Sequence, residues 1–163
     1  MNREIKFRGR VKHSNEWKFG SLLTYADGEC NIITETGHRI DTWNVDSGTV
    51  SQFTGLTDCN GKEIYEGDIL EAIYKYEQVS GSGGGIPDCD CICKGVVEWN
   101  GEVSGWVLKA QSTEYPMKNM LEENETDLIP LNVFFGSYMG ADYANECMEV
   151  IGNIHEQRKE TKV

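Results

Sequence analysis

Apolar and polar positions alternate with a period of two along most of this chain, which predicts strands in preference to helices. At the N-terminus Ile5, Phe7 and Gly9 alternate with Lys6, Arg8 and Arg10. Side chains point to opposite faces of a strand in turn, so this run predicts one apolar and one basic face. A turn at 13–16 and an extended run over 17–25 complete a hairpin across 4–25. Short extended runs follow at 30–34, 39–45 and 49–53, divided by turn signals at Asp27-Gly28, Thr36-Gly37 and Ser47-Gly48. The first third of the chain is therefore expected to be a β-meander.

The pattern resumes with a strand at 68–76. A Gly/Ser-rich segment at 77–88 reads as a long hairpin loop, since such sequence offers little side chain to bury against its ordering entropy. Strands are expected at 91–99 and 106–110 around a turn at 100–105. Residues 115–124 have helical spacing: Pro116 suits a first turn, and Tyr115, Met117, Met120 and Leu121 share one face. An apolar run at 128–135 reads as extended. A last strand at 147–155 carries Gly152 as a bulge, and the chain closes in a polar tail.

Between these halves lies 52–70, a succession of turns that delivers a strand. Thr54-Gly55 and Asn60-Gly61 are turn dipeptides. Asn60-Gly61 suits a type I′ hairpin turn or a short loop with a glycine bulge. Glu66-Gly67-Asp68 is a further corner, at which Asp68 is expected to accept backbone N–H groups. Ile64, Tyr65, Ile69 and Leu70 are expected in the core. A turn, a glycine, an aspartate and then an apolar strand also open many small SH3-like barrels. The expected fold is thus mainly β: an N-terminal β-meander at 1–53 packed on an SH3-like barrel at 54–156 with a short helix, then a polar tail at 157–163. Gly55, Asn60, Gly61, Tyr65, Gly67 and Asp68 are its structural motif.

Composition fits this class. The chain has 163 residues, 39% hydrophobic and 26% charged, with 18 glycines, four tryptophans and seven tyrosines. No apolar run approaches the roughly 20 residues of a membrane-spanning helix, and the N-terminus has no apolar signal-peptide core. A cytoplasmic protein is expected. The net charge of −12 argues against a general nucleic-acid binder. The basic strand with Arg3, Lys6, Arg8, Arg10 and Lys12 is the local exception, and it keeps a nucleic-acid-associated module as an alternative.

Candidate chemistry is sparse. Cys89, Cys91 and Cys93 form a Cys-x-Cys-x-Cys run. On a strand its three side chains share one face, and a fourth metal ligand would have to come from Cys59, Cys147 or His155. The second paired half of a zinc site is missing, so half-buried thiols behaving as small hydrophobes are the plainer reading. Glu63, Glu66 and Asp68 lie among turns, where carboxylates more often bond the backbone than transfer protons. His13, His38 and His155 have no partner motif, and Gly83-Gly84-Gly85 lacks the Lys-Ser/Thr of a phosphate loop. No catalytic residue and no cofactor is expected. Phe134 and Phe135 are adjacent, so on a strand they point to opposite faces. With Tyr138 they form a candidate interface.

Three stations resemble the YopX family of small bacteriophage and prophage proteins. They are Arg3-Glu4-Ile5-Lys6-Phe7-Arg8 at the start, Phe53 to Ile69 in the middle, and Glu149-Val150-Ile151-Gly152-Asn153-Ile154-His155-Glu156 at the end. Cys59 departs from the pattern, as does the cysteine-rich segment at 77–94. The resemblance implies a mainly β, phage-encoded protein with no established activity, in the cytoplasm of a bacterial host. The expected role is that of an accessory protein, not an enzyme, working through contacts with a phage or host protein and as a homo-oligomer. Metal binding through the 89–93 run is a second alternative.

Overall fold

The computed structural model describes residues 4–76, 89–114, 117–131 and 148–156. The chain divides into two compact units, one of Met1–Thr57 with Glu63–Glu66 and the other of Asp58–Lys62 with Gly67–Val163. The stretch 52–70 is therefore shared, its segments alternating between the units.

The first unit holds β1 (Phe7–Arg10), β2 (Trp17–Thr24), β3 (Cys30–Thr36), β4 (Arg39–Val45), β5 (Ser51–Thr57) and β6 (Glu63–Tyr65). They form one antiparallel sheet in the order β4-β3-β2-β1-β5-β6. The sheet curls until the end of β4 meets the end of β1. Val11 and Val45 form a bridge, the Lys12 N–H donates to the Asn44 carbonyl at 3.2 Å, and the Asp46 N–H donates to the Arg10 carbonyl at 2.8 Å. Inside the curl Cys30, Ile32 and Val45 are buried, with Phe7, Val11, Leu22, Trp43 and Val50 packed around them. Burial of each aliphatic side chain contributes about 1.5–3 kcal/mol. Gly9 permits the closure: a Cβ there would stand 2.8 Å from Val45 Cγ2.

The second unit holds β7 (Asp68–Tyr76), β8 (Cys89–Asn100), β9 (Gly105–Thr113), α1 (Met117–Glu123), β10 (Leu128–Pro130) and β11 (Met148–Asn153). Its antiparallel sheet runs β10-β9-β8-β7-β11. Pro130 sits on an edge strand, where a missing N–H costs no ladder bond. The register of β11 against β7 shifts between Val150 and Gly152, where the bulge is expected. Leu70, Val97, Val107, Leu108 and Met148 are among its buried residues.

The mainly β class read from the sequence is the class observed, with one α-helix among the described residues. That helix lies within the expected 115–124. Several strands run longer than their apolar cores suggested, because ladder bonds continue through polar residues such as Thr36 and Ser112. No helix among the described residues is long and apolar enough to cross a membrane.

Candidate functional site

The outer face of the first sheet gathers the charged and aromatic side chains that the N-terminal alternation announces. β1 sends Arg8 and Arg10 outward, and its register sets Arg8 opposite Phe19 and Arg10 opposite Trp17. On the other side β5 pairs with β1, and Phe53 of β5 lies opposite Tyr65 of β6. The Arg8 guanidinium is 4.8 Å from the Trp17 ring centroid and 4.6 Å from that of Tyr65. Tyr65 in turn packs on Phe53 at 5.4 Å and Phe19 at 5.7 Å. A flat, weakly hydrated guanidinium suits such ring faces, and each desolvated contact contributes about 1–2 kcal/mol.

Lys6 extends this ladder. Its Nζ lies 2.7 Å from both carboxylate oxygens of Glu63, and the Tyr65 hydroxyl donates to Glu63 Oε2 at 2.7 Å. Partial burial works against ionisation of Glu63, but the hydrogen bonds from Lys6 and Tyr65 and the Lys6 charge outweigh it. The carboxyl is held below its ordinary range. Burial, then the hydrogen bond to Glu63 and its negative charge, pushes the Tyr65 phenol well above its ordinary value against the opposing pull of Arg8. Arg8 is only 7% exposed and Tyr65 only 1%. Lys6 and Arg8 are thus engaged within the sheet.

Across β2, β3 and β4 the same face changes character. Residues directly opposite in an antiparallel pair share a face. The pairs Ser21 with Ile33 and Glu35 with Ile40 therefore put Phe19, Leu23 and Ile40 on the ladder's side of the sheet. These three are 44%, 38% and 68% exposed. The outward positions 19, 21 and 23, 31, 33 and 35, and 40, 42 and 44 contain a single charge, Glu35. Four of these nine positions are apolar and four are uncharged polar, and depletion of charge is a mark of binding faces. Phe19 lies outside because its register sets it opposite Arg8, while Phe7 and Trp43 take the inner face.

The motif residues divide between the units. Gly55, at φ 88°, accompanies a shift in the β5–β6 register. Asn60 and Gly61 lie in the loop that joins those strands. The Gly61 N–H donates to the Asp58 carbonyl, and the Asp58 N–H to the Lys62 carbonyl. Gly61 takes φ 76° and Asn60 is not at positive φ, so the loop is the glycine-bulged form. Asp58 is buried. Its Oδ1 accepts from the N–H groups of Asn60 and Lys62, both at 2.9 Å, and its Oδ2 accepts from the Val150 N–H at 3.1 Å. Periodicity gave no signal for this role; a carboxylate before Asn-Gly was the available hint.

Gly67 turns the corner at φ 77°, bonded through its N–H to Val97 and through its carbonyl to Ile154. Asp68 is 1% exposed and accepts from Asn153 Nδ2 at 3.0 Å, and Asn153 Oδ1 accepts the His155 N–H. β8 carries Cys89, Cys91 and Cys93 at alternate positions, opposite Tyr76, Tyr74 and Ala72 of β7. Cys93 is buried, which pushes its thiol up to about 11. Among the described residues no three His, Cys, Asp or Glu side chains converge as metal ligands would. Phe134, Phe135 and Tyr138 lie outside the described residues.

Two antiparallel sheets, an internal cation–aromatic ladder and an exposed face poor in charge define a small mainly β protein. The chain belongs to the family described as YopX protein, whose sequence profile matches residues 6–159. No curated protein matches it. Among solved structures it is similar to the crystal structure of protein EF1440 from Enterococcus faecalis, at 18% identity over 97% of this chain and 98% of that one, with a TM-score of 0.43.

Proposed function

We propose that this protein is a phage or prophage accessory protein that acts without catalysis, through protein–protein contacts and as a homo-oligomer in the cytoplasm of a bacterial host. The observation that carries this reading is the outer face of β2, β3 and β4. It exposes Phe19, Leu23 and Ile40, and Glu35 is the one charged residue among its nine outward strand positions in a chain that is 26% charged. The engagement of Lys6 by Glu63 and of Arg8 by Trp17 and Tyr65 favours this reading over nucleic-acid binding by the basic strand. Phosphate contacts need cations that are free to leave their internal partners.

The test compares wild type with a Phe19→Ser, Leu23→Ser double variant, both tagged, in cells carrying the phage. The wild type is expected to retain a specific protein that the folded variant loses, and light scattering is expected to give more than one chain per particle. A strict monomer with the same bound proteins in both samples would overturn the reading.

A further inference from the structure

We infer that β4 pairs with β4 of a second copy of this chain, antiparallel about a two-fold axis beside Ile40. This deepens the homo-oligomer reading and rests on it. Strand β4 is the terminal strand in the order of the first sheet. In an antiparallel strand the N–H and C=O of one residue point to the same side, and the side alternates along the chain. The Asn44 carbonyl and the Asp46 N–H both bond to the end of β1. The even-numbered residues of β4 therefore direct their backbone groups away from β3. Past that short closure, the outward groups belong to Ile40 and Thr42, and no strand among the described residues pairs with them. Such an edge is a template for another chain.

The sequence of β4 selects the occupant and its register. Arg39 and Asp41 flank Ile40, and their side chains point to the opposite face from Ile40. An antiparallel pair centred on Ile40 sets Arg39 opposite the second copy's Asp41, and Asp41 opposite the second copy's Arg39. Ile40 then meets its own symmetry mate. A two-fold contact must complement itself, and this register does so twice over. Moving the centre to Asp41 would oppose two carboxylates, which is unfavourable at the closest cross-strand spacing. Within one copy Arg39 Nε already donates to Asp41 Oδ1 at 2.7 Å, with 79% of the Arg39 side chain exposed. The exchange between copies keeps that chemistry. It also makes the two outer faces continuous, doubling the surface offered to a partner.

Charge swapping tests this on the full chain by sedimentation velocity. Arg39→Asp and Asp41→Arg each create two like-charge oppositions, and each is expected to weaken the dimer by roughly tenfold or more. Mixing the two variants restores opposite charges at both places and is expected to restore the dimer. Recovery in the mixture also shows that neither variant had simply misfolded. A wild-type dimer indifferent to both substitutions, or a mixture of two folded variants that stays dissociated, would overturn the inference while leaving the homo-oligomer reading in place. A wild type that is monomeric at every concentration would remove both.

Discussion

The Asp58 carboxylate accepts the Val150 N–H at 3.1 Å, across 92 residues of sequence. With its other oxygen it holds Asn60 and Lys62, so one buried side chain fastens the 58–62 loop and joins it to β11. Backbone Cys59 N–H to Met148 carbonyl, at 3.0 Å, continues the same seam. Asp58→Ala would leave three N–H groups without their acceptor and is expected to cost about 3 kcal/mol. Asp58→Asn, which keeps one oxygen, should cost about half as much. Urea unfolding measures both, and amide exchange at Val150 should accelerate. A change below about 0.5 kcal/mol would show the seam to be dispensable.

The Gly67 corner makes a sharper demand. Its φ of 77° strains any L side chain, and a Cβ there would lie 3.1 Å from Ile154 Cδ1 and Cγ1. Gly67→Val is expected to destabilise by about 2–4 kcal/mol, more than Gly67→Ala, because a β-branched residue tolerates this region least. Glu66→Gln next to it should stay within about 0.5 kcal/mol. Thermal denaturation of the three variants checks the order, and equal stability for Gly67→Val would contradict it.

Acid and alkali should loosen the first sheet through different groups. Glu63 has a folded-state pKa below its unfolded value. Its contribution is complete above the ordinary carboxylate range near about pH 4.3 and is lost as pH falls through the folded value. Tyr65 is raised, so its contribution is complete below about pH 10 and declines as pH climbs beyond. Glu63→Gln should flatten the acid limb of stability against pH, and Tyr65→Phe the alkaline limb. An acid limb unchanged by Glu63→Gln would place the titrating carboxylate elsewhere.

Thiol reactivity should follow burial. Cys59 is exposed, whereas Cys30 and Cys93 are buried, and the raised Cys93 pKa leaves little thiolate at neutral pH. Of these three, timed alkylation with peptide mapping should modify Cys59 first, and Cys30 and Cys93 only with global unfolding. Early labelling of Cys93 would mean that β8 opens locally.

How much of this was legible depended on range. Alternation in 5–10 announced a two-faced strand, and the glycines at 55, 61 and 67 marked backbone at positive φ. Both signals are local. The use of Arg8 was hidden because its rings come from Trp17 and from Tyr65, 57 residues away, and register alone brings them together. Asp58 was hidden for the same reason, its partner being remote. The outward place of Phe19 was hidden because alternation says that two faces differ, not which one the sheet will curl around. Only the Val11–Val45 closure decides that.

The alternation of segments between the units sets an order for synthesis on the ribosome. The first sheet lacks its last strand until Tyr65 has emerged, so a nascent chain stopped after Thr57 has Arg8 covered by Trp17 but not by its second ring. The intervening 58–62 loop then waits far longer, until Val150 has emerged to close on Asp58. Maturation is therefore expected to proceed from the N-terminal sheet outward, and a product truncated before Val150 would carry an unfastened 58–62 loop.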